Sequence, residues 1–211
     1  MTDPEQRRRH WDHVYRRSAA EHVSWFQPRP ELSLALIEAS GVRPPAPIVD
    51  VGGGASTLVD HLLERGYTLT VLDISAAALT AAAARLGPTR AEQVTWIDAD
   101  ITRPELADTL GRFELWHDRA VFHFLTDAGD RRSYVATMSA ALAPGGHAIL
   151  ATFAVGGPER CSGLPVVRYD AASLLAALGS GFDLVETREE LHHTPSGAAQ
   201  AFMYFLLRRR A

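Results

Sequence analysis

The stretch Ile48-Val49-Asp50-Val51-Gly52-Gly53-Gly54-Ala55-Ser56-Thr57 decides the fold of this chain. Its apolar start predicts a buried strand, and its three glycines predict a tight turn into a helix over residues 57–65. Strand, glycine turn and helix open a nucleotide-binding βαβ unit, whose ligand lies beyond the carboxyl ends of the strands. The helix start adds unpaired backbone N–H groups and a partial positive charge. The stretch therefore predicts a ligand site at the glycine turn.

A second acid follows one crossover later in the chain. Residues 68–73 form a predicted strand that ends in Asp73, at the spacing of the carboxylate that holds a ribose hydroxyl. Thr57 occupies the position of the third glycine of the dinucleotide fingerprint, and no Gly-Lys-Ser/Thr follows the turn. Asp50 beside the turn would repel a pyrophosphate but suits an ammonium group. The pattern thus favours a ribose-bearing ligand with an ammonium group over a dinucleotide.

Composition excludes several classes of function. The chain has 211 residues with a net charge of −4, which gives no electrostatic support for a nucleic-acid partner. We find no apolar run of membrane-spanning length and no signal peptide, so the expected location is the cytoplasm. All 21 basic residues are arginine, which excludes a Schiff base on lysine. The adjacent His192 and His193 would point to opposite faces of a strand, so we predict no metal site.

These motifs resemble those of class I S-adenosylmethionine-dependent methyltransferases, over residues 48–154. The glycine stretch resembles motif I, and Asp73 resembles the motif II acid that holds the ribose. Asp100 and Ile101 resemble the third motif, which flanks the adenine. Residues 142–146, Leu-Ala-Pro-Gly-Gly, resemble the turn before the fifth strand. The resemblance implies S-adenosylmethionine as cofactor and the following binding residues: Trp11, Trp25, Asp50, Gly52, Gly54, Thr57, Asp73, Ile74, Asp100, Ile101 and Asp118.

The order of the predicted elements indicates the fold class. Strands alternate with helices up to residue 153, which implies a parallel sheet. Residues 182–192 and 201–207 are joined by too short a loop for a crossover helix, so they must pair antiparallel. With the resemblance, we expect an α/β single-domain three-layer sandwich with a mostly parallel seven-stranded sheet ending in an antiparallel hairpin. Residues 44–211 would form the methyltransferase domain and residues 1–43 an N-terminal helical lid segment.

The lid hypothesis rests on four aromatic side chains. Trp11 and Tyr15 share one face of a predicted helix over residues 10–17, and Trp25 and Phe26 precede a proline stop. The segment resembles the lead-in of some small-molecule and protein-lysine methyltransferases, in which it covers the cofactor. A dry, aromatic-walled site favours a reaction in which a sulfonium loses its charge. The alternative is that these aromatics only cover one edge of the core.

Candidate catalytic residues flank the fourth strand. His117 and His123 could accept a proton from the acceptor as neutral imidazoles, and Tyr15 is a third candidate. A thiolate acceptor would need no base, because proximity is sufficient. Residues 116–119, Trp-His-Asp-Arg, resemble the Trp-Asp-Arg-Gly of thiopurine methyltransferases, which suggests a sulfur acceptor. The glycine- and proline-rich loop after the fifth strand, which contains Cys161, is the expected acceptor-side wall.

The sequence therefore predicts an S-adenosylmethionine-dependent methyltransferase that acts on a small molecule through sulfur, oxygen or nitrogen. Protein-lysine methyltransferase activity is an alternative, and an exposed acidic groove would favour it over a closed apolar pocket. A cofactor-binding module without turnover is a second alternative. An acceptor pocket filled by side chains would favour that module.

Overall fold

The computed structural model of the chain describes residues 3–17 and 22–210. The helices of this part are α1 Pro4–Arg17, α2 Glu31–Ala39, α3 Leu58–Glu64, α4 Ala76–Leu86, α5 Pro88–Ala91, α6 Leu106–Thr109, α7 Ala128–Ala141 and α8 Ala171–Leu178. The strands are β1 Pro47–Val51, β2 Thr68–Asp73, β3 Val94–Asp98, β4 Phe113–Arg119, β5 Leu142–Phe153, β6 Arg160–Cys161, β7 Leu164–Pro165, β8 Phe182–His193 and β9 Ala199–Arg209.

The central sheet has seven strands in the order β3-β2-β1-β4-β5-β9-β8. Strands β1 to β5 are mutually parallel, and β9 lies antiparallel between β5 and β8. The predicted fold class, including its antiparallel hairpin, is confirmed. The strand order reverses between β1 and β4, and at such a switch point the strand ends leave room for a ligand.

Two hydrophobic cores flank the sheet, because strand side chains alternate between its faces. Ile48 of β1 and Leu115 of β4 pack into the core that includes α2, while Val49 and Trp116 pack into the core that includes α7. Asp50 is paired in register with His117, and Val51 is paired with Asp118. The polar residues at the ends of these strands are therefore divided between the two faces.

Several elements differ from the sequence prediction. Helix α1 begins at Pro4, well before the predicted start at His10, because arginines of its first turns pair with acids on the sheet. Helix α8 and the small β6–β7 hairpin, which were not predicted, lie in the region after β5. The α8 start did carry a signal, because Asp170 and Ser173 form a capping box.

Candidate active site

An open cavity of about 780 Å³ lies at the carboxyl ends of β1, β2 and β4. The glycine turn, the end of β2 and the segment after β3 form one side of it, and helix α1 covers it. Eight of the predicted site residues line this cavity: Trp11, Tyr15, Trp25, Gly52, Asp73, Ile74, Asp100 and Ile101.

Asp73 ends β2 and faces this cavity, although the residue is only 6% exposed. One carboxylate oxygen accepts a hydrogen bond from the backbone N–H of Ser75 at 2.8 Å. Burial raises the pKa of Asp73 to about 7, against the lowering effect of backbone N–H groups of Ser75 and Gly54. A buried carboxylate that borders a cavity is suited to accept hydrogen bonds from ligand hydroxyls.

The glycine turn provides a close approach that no side chain would allow. Gly52 and Gly54 have positive φ values of 64° and 50°. A Cβ on Gly54 would lie 2.4 Å from the Tyr15 hydroxyl oxygen and 3.3 Å from Asp73 Oδ2. A Cβ on Gly52 would lie 1.9 Å from a methyl group of Val121. Both glycines are therefore required by backbone conformation and by the space around them.

Asp100 lines the cavity, but its carboxylate is already bound by the protein. Oδ2 accepts hydrogen bonds from Arg7 Nε at 3.1 Å and Nη2 at 2.8 Å. Oδ1 accepts from the backbone N–H and the hydroxyl of Thr102 at 2.9 and 2.7 Å. Arg7 also donates to Asp130 at 2.6 Å. The acid of the third motif thus anchors helix α1, a role that sequence reasoning missed.

Three aromatic side chains form the roof of the cavity. Trp25 packs edge-to-face against Trp11 and Tyr15, with ring centroids 5.8 and 6.1 Å apart. Trp11 packs in the same way on Phe124, at 4.9 Å. Asp12 of α1 accepts a hydrogen bond from the Ser75 hydroxyl at 2.7 Å. Helix α1 therefore closes over the strand ends and contacts the residues that follow β2 and β4.

A second cavity of about 540 Å³ adjoins the first on the α2 side, and Tyr15, Trp25, Gly52 and Arg119 line both. Asp50 and His117 lie at its wall. His117 Nδ1 is 2.7 Å from Asp50 Oδ1, and His117 Nε2 is 2.9 Å from the Ser33 hydroxyl. Both ring nitrogens of this candidate base therefore have a partner within the protein.

Four predicted site residues, Gly54, Thr57, His123 and Asp118, line neither cavity in the described part of the chain. The Thr57 hydroxyl donates to the carbonyl of Gln27 at 3.0 Å. His123 is fully buried beside Phe153, and burial lowers its pKa to about 3. Asp118 is fully buried on the α7 face. The predictions for Thr57, His123 and Asp118 are corrected on this point. Strand alternation and the turn after β4 direct the side chains of Asp118 and His123 away from the cavities, and the Thr57 hydroxyl is bound by the carbonyl of Gln27.

Asp118 is held by three donors of the protein itself. Its carboxylate accepts hydrogen bonds from the Tyr134 hydroxyl and from the backbone N–H groups of Val121 and Phe122, the latter two at 2.8 and 3.1 Å. Burial raises the pKa of Asp118 to about 6, although these hydrogen bonds favour the ionised form. The carboxylate thus fixes the turn after β4.

Two further residues line the first cavity and complete its wall. Cys161 lies in the loop after β5, as expected for an acceptor-side wall, and burial raises the pKa of its thiol. Arg119 ends β4, and its side chain is 10% exposed. The sequence alone does not point to Arg119 as a site residue, because its partners Glu190 and Tyr204 lie about 70 to 85 residues away in the chain.

Comparison with known proteins agrees with this geometry. A family model described as a methyltransferase domain matches residues 49–148. The search of curated proteins found no match. Among residues 3–17 and 22–210, no cluster of His, Cys, Asp or Glu side chains could hold a metal ion. The same residues contain no helix long and apolar enough to cross a bilayer.

Solved structures share the fold over nearly the whole chain. A methyltransferase from Anabaena variabilis has a TM-score of 0.77 at 15% identity, and the match covers 96% of this chain and 95% of that one. NodS, an N-methyltransferase from Bradyrhizobium japonicum with S-adenosylhomocysteine bound, has a TM-score of 0.71 at 19% identity, covering 95% and 98%. The 1,6-didemethyltoxoflavin-N1-methyltransferase of Burkholderia thailandensis has a TM-score of 0.70 at 19% identity, covering 100% and 92%.

The match of residues 49–148 to a methyltransferase domain and the strand order support a class I S-adenosylmethionine-dependent methyltransferase. The residues present suit this cofactor. Gly52 borders the cavity without a side chain, and Asp73 offers a buried carboxylate to the same cavity. Ile74 and Ile101 provide apolar walls next to it.

Proposed function

We propose that this enzyme transfers the methyl group of S-adenosylmethionine to sulfur, oxygen or nitrogen of a small molecule. The observation that carries the proposal is the covered cavity at the strand ends, which combines the Asp73 carboxylate and the glycine turn with an aromatic roof. When bound, the cofactor supplies an activated methyl group on a sulfonium. The protein residues bind, orient and desolvate the reacting groups.

Each cofactor-binding role follows from the position of a side chain. Asp73 would accept hydrogen bonds from the ribose hydroxyls, and Ile74 and Ile101 would provide apolar walls for the adenine. Asp50, at the wall of the second cavity, faces the ammonium group of the amino-acid end. Asp100 acts indirectly, because both of its oxygens are bound by Arg7 and Thr102. Its part is to hold helix α1 over the adenine.

The shape of the cavity favours a small acceptor over a protein lysine. Trp11, Trp25, Phe124 and Leu125 line a covered space that is mostly apolar. An extended protein segment that carries a lysine would instead bind in an open acidic groove. The acids at this site, Asp73 and Asp100, accept hydrogen bonds from neighbouring protein groups. NodS and the 1,6-didemethyltoxoflavin-N1-methyltransferase are named for nitrogen methylation, so nitrogen is a reasonable acceptor atom to test.

Methyl transfer at this site depends on proximity more than on a general base. Both ring nitrogens of His117 have protein partners, and His123 lines neither cavity. Burial raises the pKa of the Tyr15 hydroxyl, so Tyr15 stays neutral and does not take up the proton. The aromatic roof would instead exclude water from the bound reactants, which favours a reaction that disperses the positive charge of a sulfonium. The acceptor therefore presents a free lone pair, as a thiolate or a neutral amine does.

Residues 1–43 are proposed to act as the lid of a methyltransferase domain formed by residues 44–211. The contacts of α1 support this division, because Arg7, Arg8 and Asp12 bind polar groups at the ends of β2 and β3. Polar contacts of this kind exchange with water more readily than buried apolar packing. In α1 no residue is fully buried.

The proposal is tested by binding and by turnover. Calorimetry is expected to show binding of S-adenosylhomocysteine and no comparable binding of NAD. A panel of thiols, phenols, amines and protein extract with radiolabelled S-adenosylmethionine is expected to label a small molecule. Tighter binding of NAD than of S-adenosylhomocysteine would refute the cofactor assignment, while label confined to protein would refute the small-molecule acceptor.

A further inference from the structure

Three polar side chains at the second cavity form a serine–histidine–aspartate arrangement. His117 Nδ1 lies 2.7 Å from Asp50 Oδ1, and His117 Nε2 lies 2.9 Å from the Ser33 hydroxyl oxygen. All three residues line the second cavity, and all three are buried. One ring nitrogen thus faces a carboxylate and the other faces a hydroxyl, which is the order of contacts in a hydrolase triad.

The Asp50 carboxylate fixes the tautomer of the imidazole. In a neutral imidazole, the nitrogen that faces a carboxylate carries the proton, because the carboxylate oxygen accepts the hydrogen bond. His117 Nδ1 therefore donates to Asp50, and Nε2 keeps a free lone pair. The Ser33 hydroxyl is then the donor of the contact at 2.9 Å, so its proton already points at a base.

The Ser33 hydroxyl differs from other hydroxyls on the helices of this protein. Helical serine and threonine side chains can donate to the carbonyl one turn back, as Thr80, Thr109 and Thr137 do at 2.8 to 3.1 Å. Ser33 lies in the first turn of α2, and its hydroxyl contacts His117 as its one partner among the described residues. The hydroxyl is thus directed at the imidazole and is not used by its own helix.

The start of α2 supplies backbone donors beside the Ser33 hydroxyl. The N-cap residue Pro30 makes no side-chain cap, and the Leu34 N–H donates to the Pro30 carbonyl at 3.0 Å. The backbone N–H groups of Leu32 and Ser33 make no hydrogen bond to the described residues. Pro30 and Ser33 both line the second cavity. Free N–H groups at a helix start would stabilise a negative oxygen that forms next to Ser33.

The size and lining of the second cavity suit a small apolar acyl group. Its volume is about 540 Å³, and Val23, Phe26 and Leu58 line it next to the three polar side chains. Asp50 has an oxygen to spare beside this group, because Oδ1 binds His117 while Oδ2 lies toward the glycine turn. An ester of a short apolar carboxylic acid therefore matches the chemistry of this wall.

We propose that Ser33, His117 and Asp50 form a second catalytic centre that hydrolyses small carboxylic esters, an activity beyond the proposed methyl transfer. Ser33 Oγ forms a bond to the ester carbonyl carbon and passes its proton to His117 Nε2, while the π electrons move onto the carbonyl oxygen beside the start of α2. Return of those electrons breaks the bond to the alcohol oxygen, which takes the proton from His117. Water then adds to the acyl-serine in the same way, which releases the carboxylic acid and restores Ser33. Asp50 stabilises the imidazolium in both steps.

The test combines covalent labelling with ester hydrolysis. A fluorophosphonate probe added to the wild-type protein is expected to label Ser33, which peptide mass spectrometry identifies. Hydrolysis of p-nitrophenyl butyrate is expected to saturate with substrate and to fall at least about 1,000-fold in Ser33→Ala. In Asp50→Asn the rate is expected to fall at least about 100-fold, because the imidazole loses the acceptor that fixes its tautomer.

Ser56→Ala is the matched control, because Ser56 lines the same cavity but its hydroxyl accepts from the Leu58 backbone N–H at 3.1 Å. Its hydrolysis rate is expected to stay within about twofold of the wild type. Circular dichroism confirms that the variants are folded, and if Ser33→Ala is not, labelling of the wild type decides. A probe that leaves Ser33 unlabelled, or equal hydrolysis by the wild type and a folded Ser33→Ala, would overturn the proposal and leave a structural hydrogen-bond relay only.

Discussion

The ends of β2 and β4 each carry a buried aspartate, and the two serve different purposes. Asp73 borders the cavity and accepts backbone hydrogen bonds from one side only. Asp118 is enclosed by the Tyr134 hydroxyl and two backbone N–H groups, and it borders neither of the two cavities described above. Burial raises the pKa of both carboxyls, to about 7 and about 6. A raised pKa therefore does not by itself separate a binding carboxylate from a structural one.

What separates the two aspartates is the supply of donors around them. The turn after β4 directs its own backbone N–H groups at Asp118, so donors of the protein itself satisfy this carboxylate. After β2, the chain turns away into α4, so part of the Asp73 carboxylate still faces the cavity. The comparison predicts that replacing Asp118 harms the fold, whereas replacing Asp73 harms ligand binding.

The largest expected effect is that of Asp118→Ala on stability. The substitution leaves the Tyr134 hydroxyl and two buried N–H groups without their acceptor, so we expect a loss of about 3–5 kcal/mol in the free energy of unfolding. Urea denaturation followed by fluorescence measures it, with Asp73→Ala as the matched variant. A loss below about 1 kcal/mol would show that Asp118 is not a structural anchor.

The second effect concerns ligand affinity in Asp73→Ala. We expect the binding free energy of S-adenosylhomocysteine to weaken by about 1–3 kcal/mol, the value of a charged hydrogen-bond acceptor, while the protein stays folded. Calorimetry at pH 8, where the carboxyl is ionised, gives the cleanest comparison. An unchanged dissociation constant in a folded variant would remove Asp73 from the site.

The pKa of Asp73 gives the third prediction. The folded free protein holds this proton up to about pH 7, whereas the unfolded chain releases it near pH 3.8. The contribution of the protonated Asp73 carboxyl to the free energy of unfolding is therefore fully present below pH 3.8, and it is lost as the pH rises through 7. Affinity for S-adenosylhomocysteine follows the opposite trend, falling by up to about tenfold per pH unit below 7, because the ribose requires the ionised form.

The control for the pH dependence is Asp73→Asn, which cannot titrate. Its thermal midpoint above pH 7 is expected to exceed that of the wild type by a few degrees, about 2–4 °C for each kcal/mol gained. Its ligand affinity is expected to be flat with pH. A wild-type affinity that shows no change between pH 5 and 8 would contradict the assignment.

The smallest effect is expected for His123→Phe. His123 is buried between Phe124 and Phe153 and lines neither cavity, so a ring of similar size at this position does not alter the ligand space. The variant does lose the hydrogen bond that the Phe153 backbone N–H donates to His123 Nδ1 at 3.3 Å, so its cost falls on stability. Its pKa of about 3 keeps the imidazole neutral in the wild type as well. Turnover is expected to stay within about twofold, with an unchanged pH profile. A loss of the pH profile in this variant would restore His123 as a catalytic candidate.

Sequence patterns were sufficient to predict the fold and the edge of the sheet at which the cavity lies. Asp50, the glycine turn and Asp73 follow from local patterns, because strand, turn and helix are adjacent in the chain. Asp118 was misplaced because its direction depends on the register of β4 against β1, which sequence periodicity does not reveal. Arg119 was missed because its contacts are with Tyr204 of β9 and Glu190 of β8, which lie two and three strands away from β4 in the sheet.

The N-terminal segment shows the same limit. Its aromatics were recognisable from their spacing, but the anchoring of α1 by Arg7 on Asp100 joins residues that are 93 positions apart. From the sequence alone, an arginine in a charged N-terminal segment cannot be distinguished from any solvent-exposed residue. Only the folded chain shows that the acid predicted to flank the adenine holds the roof in place.

A crystal structure of the complex with S-adenosylhomocysteine is the most direct test of the contrast between the two aspartates. The account predicts that the ribose hydroxyls bind Asp73, that the adenine lies between Ile74 and Ile101, and that Asp118 contacts only protein. A ribose held elsewhere, with no ligand atom within hydrogen-bond distance of Asp73, would contradict it, and so would a ligand atom bound to Asp118.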